Sequence, residues 1–183
     1  IYDTKTINVE NVIKSFGLYN GKIKYDIKPI DIIDYNGEKG VNVLSFGLDT
    51  LVETMGRKIA AKAPFLGHHA YKVAVAPIIA KPIHYTISYK LNCVDKAIGG
   101  EFTVEQSNKD YALMAICNAS WYGGSFCPAP NSVLCTNYYI KSGKVYMEDG
   151  SPLIGNCDGE NFNYSELEFK VEPKAVKLCV IKD

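Results

Sequence analysis

Residues 82–94, PIHYTISYKLNCV, carry the clearest pattern in the chain. Apolar or aromatic side chains fall on one parity and polar side chains on the other: Ile83, Tyr85, Ile87, Tyr89, Leu91 and Cys93 against His84, Thr86, Ser88, Lys90 and Asn92. A period of two is typical of a strand with one buried and one solvated face. A parallel strand covered on both sides would be apolar throughout, so the pattern predicts a central antiparallel strand.

Further strands are predicted on both sides of this stretch. Asn20-Gly21 and Asn36-Gly37 predict hairpin turns, because both residue types tolerate positive φ. Turns are also predicted at residues 107–110 and 142–143, and residues 71–80, YKVAVAPIIA, are predicted as a strand. About ten strands with frequent turn signals predict a mainly β fold, an antiparallel sandwich or barrel-like domain. The length suits a single domain over residues 1–183.

One segment has a helical period. Residues 50–63 place Val52, Met55 and Ile59 along one side, which predicts an amphipathic helix. Thr50 with Glu53 has the spacing of a capping box, and Pro64 predicts the end of the helix.

Charge and hydropathy exclude several partners. The chain has 20 basic and 20 acidic residues, and Arg57 is the only arginine. A neutral chain with a single arginine fork predicts no nucleic-acid partner. No apolar run reaches the roughly 18 residues of a membrane span. The chain starts at Ile1 without a leader, which predicts a processed or trimmed chain.

Six cysteines are widely spaced and form no Cys-x-x-Cys pair. They are Cys93, Cys117, Cys127, Cys135, Cys157 and Cys179. An even number at such spacing predicts up to three disulfides in an oxidising compartment, and hence an extracellular or cell-surface location. The alternative is that some are buried free thiols of a cytosolic protein.

The segment 118–132, NASWYGGSFCPAPNS, is the least regular part of the chain. Its aromatic residues Trp121, Tyr122 and Phe126 lie beside two glycines and predict a binding loop for a protein or a carbohydrate. The alternative is that the tryptophan packs in the core. Asn118 and Asn163 each begin a glycosylation triplet in a predicted loop.

Oxygen-bearing residues cluster near the C-terminus. Asn156, Asp158 and Glu160, with Asp149 as a further ligand, form a candidate calcium site, since calcium prefers oxygen ligands. The spacing does not match an EF-hand loop, so a solvated polar loop is the alternative. No other cofactor is expected.

No catalytic motif is present, so the sequence favours a non-enzymatic extracellular domain that acts by protein contact. It could be an adhesive or filament subunit or a binding module, and residues 1–12 could complete the sheet of a neighbouring copy by strand addition. Two alternatives remain open. One is a small secreted hydrolase using Cys127 with His84 or His69, and the other is a β-barrel carrier of a hydrophobic ligand.

Overall fold

A computed structural model describes residues 25–67, 69–80, 84–95, 97–118 and 139–181 of the 183-residue chain. These residues form ten strands and two α-helices, and the strands lie in two antiparallel sheets. The strands are β1 (Tyr25–Tyr35), β2 (Glu38–Gly40), β3 (Val43–Gly47), β4 (Tyr85–Val94), β5 (Glu101–Tyr111), β6 (Leu113–Cys117), β7 (Tyr139–Tyr146), β8 (Leu153–Cys157), β9 (Glu160–Tyr164) and β10 (Glu166–Ile181). The helices are α1 (Leu48–Lys62) and α2 (His69–Ile79).

The larger sheet has six strands in the order β2-β1-β10-β7-β4-β5, and the smaller has four in the order β6-β3-β8-β9. Both sheets contribute side chains to one core, including Ile33 of β1, Phe46 of β3 and Leu91 of β4. A mainly β, sandwich-like fold is therefore confirmed.

The organising strand lies where the pattern predicts. β4 pairs antiparallel with β5 on one side and with β7 on the other, and Ile87, Leu91 and Cys93 are almost fully buried. Ser88 departs from the alternation, since it lies on the polar parity and is fully buried. Its hydroxyl donates to Glu148 at 2.7 Å, and it accepts the backbone N–H of Asn108 at 2.8 Å. These bonds offset the cost of burying the hydroxyl.

The turn at Asn36-Gly37 is confirmed: both residues have positive φ and Tyr35 pairs with Glu38. The predicted turn at residues 107–110 is wrong, because β5 continues through it to Tyr111. Asn108 has a φ of 47°, and the register with β4 shifts between Ile87 and Tyr89, which identifies a β-bulge. Asn20-Gly21 lies outside the described residues.

The predicted helix is confirmed as α1, but its predicted cap is wrong. The helix begins at Leu48, directly after Gly47, whose φ is 89°, and no side chain caps it. The Thr50 hydroxyl oxygen is buried without a hydrogen-bond partner among the described residues. Glu53 instead forms an ion pair with Arg57, one turn further along the helix. A one-turn 3₁₀ helix at Pro64–Leu66 follows α1.

The strand predicted over residues 71–80 is wrong, because this segment forms α2, a second helix. Ala70, Ala74 and Ile78 are buried at a spacing of four residues, so α2 packs one narrow stripe against α1. The helices meet at Gly56, where an added Cβ would lie 2.4 Å from the Tyr71 ring. Gly56 therefore provides the close approach that joins the two helices. No helix in the described part of the chain is long and apolar enough to span a bilayer.

The hairpin predicted at Ser142-Gly143 is also wrong, because β7 runs unbroken through both residues. Gly143 pairs with Phe169 of β10 and with Leu91 of β4. A Cβ at this position would lie 2.7 Å from the Leu91 side chain and 2.8 Å from the Phe169 ring. Gly143 is thus required for space in the core, and not for a turn.

We expect Gly143→Ala to lower the free energy of unfolding by about 1–3 kcal/mol, because the added methyl group overpacks the core. Gly100→Ala is the matched control, since its Cβ would meet only the Ile98 side chain at 3.6 Å. Urea unfolding followed by circular dichroism measures both. Equal stability of the two variants would contradict this account of Gly143.

Candidate functional site

Helix α1 carries the candidate site and is fixed directly to the smaller sheet. The strand β3 is fully buried and leads into α1 without a loop. The backbone N–H of Leu48 donates to the carbonyl oxygen of Ala112 at 2.8 Å, which ties the start of the helix to the segment before β6. A helix held this way has little freedom to move its side chains relative to the sheet.

Asp49, Glu53 and Arg57 lie four residues apart on successive turns of α1, so they share one face. The hydroxyl of buried Ser45 donates to the Asp49 carboxylate. The Glu53 carboxylate accepts the Nε–H of Arg57. Helix α1 therefore presents two carboxylates and one guanidinium along one face.

Arg57 joins this face to the turn between β8 and β9. Its Nη2 donates to the carbonyl oxygen of Gly159 and lies 3.6 Å from a carboxylate oxygen of Glu160. The bond to Glu53 raises the pKa of Arg57. The Arg57 side chain is 51% exposed, so the guanidinium is both oriented and open to a ligand. We call Asp49, Glu53, Arg57, Gly159 and Glu160 the Arg57 cluster.

A chain of amide hydrogen bonds supports the turn under Arg57. Asn161 donates from Nδ2 to the hydroxyl of Thr54 on α1 at 3.1 Å. Buried Asn156 donates to the Asn161 side-chain oxygen at 2.9 Å and accepts the backbone N–H of Gly159 at 3.0 Å. The β8–β9 turn is therefore attached to α1 independently of the ion pairs.

Asp158 holds the same turn from the other side. Its carboxylate accepts the backbone N–H groups of Val41 at 2.5 Å, Asn42 at 3.0 Å and Val43 at 2.8 Å. Val41 and Asn42 form the β2–β3 connection, and Val43 is the first residue of β3. A carboxylate that accepts several backbone N–H groups is a strong structural anchor, and it leaves Asp158 little capacity to bind a ligand.

The residues predicted to bind calcium are only partly brought together. Asn156, Asp158 and Glu160 surround the β8–β9 turn, whereas Asp149 lies before β8 and accepts the backbone N–H of Ser151. Asn156 and Asp158 are engaged in the hydrogen bonds above. Within the described residues, no group of three or more His, Cys, Asp or Glu side chains could hold a metal ion. Calcium binding stays a prediction.

The described cysteines contradict the disulfide framework. Cys93 and Cys157 are buried free thiols, and no disulfide joins either of them to Cys117. Cys117 and Cys157 lie on strands that flank β3 on opposite sides. Cys127 and Cys135 lie outside the described residues, as does the side chain of Cys179. The prediction that Cys93 and Cys157 are crosslinked is therefore wrong, and the extracellular location stays a prediction.

The predicted modification and binding sites have different outcomes. Asn118 donates from Nδ2 to the carbonyl oxygens of Asp31 at 2.5 Å and Val41 at 2.9 Å, so a glycan there would break two internal bonds. Asn163 is exposed, but it lies in β9 and not in a loop. Trp121, Tyr122 and Phe126 and residues 1–12 lie outside the described residues.

A concave region of about 530 Å³ lies on the six-stranded sheet, away from the Arg57 cluster, and is lined by charged residues, including Lys90, Lys144 and Lys170. Its charges are already paired, since Lys170 contacts Glu172 at 3.1 Å and Lys144 contacts Glu166 at 2.7 Å. Paired exposed charges are typical of a solvated sheet face. Arg57 is paired as well, but it is a guanidinium that a backbone carbonyl also orients, so we place the candidate site at the Arg57 cluster.

Sequence reasoning missed the Arg57 cluster. Two signals could have indicated it: Glu53 and Arg57 are spaced one turn apart on a predicted helix, and Arg57 is the only arginine. The contact between Arg57 and Gly159 spans 102 residues, and nothing in either local pattern predicts it.

The fold is shared with solved structures, although no family model matches the sequence and no curated protein is similar to it. Two solved structures, each described as a putative diacylglycerol kinase from Bacillus anthracis str. Sterne, superimpose with a TM-score of 0.53 over 83% of this chain. Their sequence identities to it are 14% and 15%. The chain spans 57% of one and 56% of the other. At this identity the likeness concerns the fold alone.

These findings overturn the predicted function. The prediction of a non-enzymatic adhesive or filament domain depends on a β fold, on crosslinked cysteines and on the lack of a catalytic motif. The fold is one that proteins assigned as kinases share, and Cys93 and Cys157 are not crosslinked. The two alternatives gain no support. Cys127 of the proposed hydrolase lies outside the described residues, and the described strands form two sheets around a core filled with side chains.

We expect Asp158→Asn to lower the free energy of unfolding by about 1–3 kcal/mol, since it weakens three charge-assisted bonds to the β2–β3 backbone. Glu160→Gln is the matched control, because Glu160 is an exposed carboxylate of the same turn. Thermal unfolding of both variants measures the difference. A loss no larger for Asp158→Asn than for the control would contradict the anchoring role.

We expect Cys93 and Cys157 to resist iodoacetamide at pH 8 in the folded protein and to react after unfolding. Burial raises the pKa of both thiols, that of Cys157 to about 12, and the thiolate is the reactive form. Peptide mass mapping without reductant checks this outcome, and finding either residue in a disulfide would contradict it.

The raised pKa of Cys157 also gives a pH dependence of stability. The unfolded chain loses the Cys157 proton near the ordinary thiol value of 9.0, whereas the folded chain retains it to a pKa of about 12. The folded state therefore binds more protons in this range, and the free energy of unfolding should fall as the pH rises from 9 toward 12. Urea titrations of the parent and of Cys157→Ala test this, and the slope should be smaller in the variant.

Proposed function

We propose that this chain forms part of a lipid kinase that transfers a phosphoryl group to the hydroxyl group of a diacylglycerol-like lipid. The observation that carries the proposal is the fold shared over 83% of the chain with proteins assigned as diacylglycerol kinases. Because the chain spans little more than half of their length, the complete activity belongs to the proposal and not to the described residues alone.

The Arg57 cluster supplies the chemistry that phosphoryl transfer needs from a protein. The transition state spreads negative charge over the equatorial oxygens, so the protein contributes mainly positioning and positive charge. A guanidinium presents a planar fork that matches a phosphate, unlike the ammonium of lysine. Arg57 is the only arginine and is half-exposed. Glu53 and Gly159 orient it before any ligand binds.

In the described part of the chain, no group of three or more His, Cys, Asp or Glu side chains could hold a metal ion. Magnesium normally accompanies the nucleotide in such transfers, held by one or two carboxylates together with the phosphates. The Asp158 oxygens are taken by backbone N–H groups, whereas α1 presents the carboxylates of Asp49 and Glu53. The proposed role of this chain is to hold the phosphoryl group through Arg57.

We expect the protein that carries this chain to form phosphatidic acid from ATP and a short-chain diacylglycerol. Arg57→Ala should lower kcat/KM on the order of 10²-fold, the usual cost of removing one preorganised donor from a developing charge. Arg57→Lys should recover only part of the rate, since it keeps the charge and loses the fork. Transfer of radiolabelled phosphate from ATP to the lipid measures kcat/KM of the parent and of both variants.

Lys141→Ala is the control, because Lys141 is an exposed cation that pairs with Glu101 in the six-stranded sheet. It should keep the parent rate. Absence of lipid phosphorylation by the parent would contradict the proposed activity. Activity that is equal in Arg57→Ala and Lys141→Ala would contradict the role of Arg57 and leave the activity standing.

A further inference from the structure

The charges of the chain are strongly segregated around the two helices, although the net charge is zero. No Asp or Glu occurs between Glu53 and Asp95, a segment that contains the basic residues Arg57, Lys58, Lys62, Lys72, Lys81 and Lys90. Lys58, Lys62 and Lys72 are exposed on α1 and α2. Arg57 is paired with Glu53 and Glu160, and Lys90 lies on β4 and pairs with Glu105. The exposed cations that the helices contribute to this surface are therefore Lys58, Lys62 and Lys72.

The connection between the helices exposes a large apolar side chain. Phe65 is 88% exposed and lies in the 3₁₀ turn between α1 and α2. The turn is closed by backbone bonds, from Leu66 N–H to the Ala63 carbonyl at 3.0 Å and from Gly67 N–H to the Pro64 carbonyl at 3.1 Å. Phe65 is thus held outward by an ordered backbone.

Helix α2 has apolar side chains outside the stripe that it buries. Its sequence, HAYKVAVAPII, contains one charged residue, Lys72. The stripe at Ala70, Ala74 and Ile78 faces α1, whereas Val73 is 49% exposed. Apolar residues beyond the packed stripe of a helix indicate a further apolar contact. Exposed apolar residues together with lysines are the composition of segments that lie in a lipid interface.

We propose that the helical hairpin formed by residues 48–79 docks on an anionic lipid bilayer, with Phe65 inserted below the headgroups and the lysines of α1 and α2 against them. This inference deepens the proposed lipid kinase function and rests on it, because a kinase acting on a membrane lipid must reach it at the bilayer surface. The occupant follows from charge complementarity: residues 54–79 contain four cations and no acidic residue, which matches the negative headgroups of an anionic leaflet. Asp49 and Glu53 lie in the first two turns of α1, at the end of the helix away from Phe65.

The test is cosedimentation of the purified chain with vesicles made of equal amounts of phosphatidylcholine and phosphatidylserine, or of phosphatidylcholine alone. We expect binding to the anionic vesicles, weaker binding to the neutral ones, and a decrease as salt screens the charges. Phe65→Asp should weaken binding about tenfold or more, because it removes the inserted ring. Lys58→Glu with Lys62→Glu should weaken it on the order of tenfold.

The chain offers matched controls for both variants. Ile98 is 81% exposed, like Phe65, but lies in the β4–β5 turn between Asp95 and Glu101. Ile98→Asp should bind vesicles as the parent does. Lys28→Glu with Lys177→Glu reverses two exposed lysines on the paired strands β1 and β10 and should also leave binding unchanged. Circular dichroism verifies that every variant is folded.

The docking proposal is overturned if the parent does not bind anionic vesicles. It is also overturned if the control variants lose as much vesicle binding as Phe65→Asp and the Lys58, Lys62 double variant. Self-association of the parent that Phe65→Asp abolishes, without vesicle binding, would also overturn it and assign the surface to a second copy of the chain. Failure of the kinase proposal is distinguishable, because vesicle binding needs neither ATP nor turnover. Conversely, Phe65→Asp, and Lys58→Glu combined with Lys62→Glu, should retain kinase activity on a dispersed short-chain diacylglycerol.

Discussion

Burial of the Phe46 ring links the core of the protein to its candidate site. The ring packs edge-on against Phe162 of β9 at a centroid distance of 5.9 Å, and Phe162 lies 5.6 Å from the Tyr35 ring of β1 in the other sheet. One residue after Phe46 the backbone turns at Gly47, and α1 begins. The position of α1, and with it that of Arg57, therefore depends on the contact between the two sheets.

The site and the proposed docking surface lie on the same helix. Arg57 points to the β8–β9 turn, while α1 continues to the exposed turn that carries Phe65. A single rigid element thus connects a cation suited to phosphate with a surface suited to a bilayer. Such an arrangement would hold a membrane lipid close to the transferred group, which is the positioning that phosphoryl transfer requires.

Net charge alone does not describe the surface that we propose for docking. Equal numbers of acidic and basic residues predict no long-range attraction to anionic lipid. The local field depends instead on where the charges lie, and the segment between Glu53 and Asp95 contains only basic ones. The distribution was readable from the sequence, but its meaning required the finding that residues 71–80 form a helix packed on α1 and leave Val73 and Phe65 exposed.

Local patterns determined the strand β4, the Asn36-Gly37 turn and helix α1, because alternation, positive φ and helical spacing involve only neighbouring residues. Tertiary structure decided the rest. Gly143 serves core packing between Leu91 and Phe169, although its local sequence resembles a turn. The Val- and Ala-rich run at 71–80 suits either a strand or a helix, and packing of Tyr71 on Gly56 selects the helix. The Arg57 cluster joins residues 102 positions apart, a contact that only the folded chain can create.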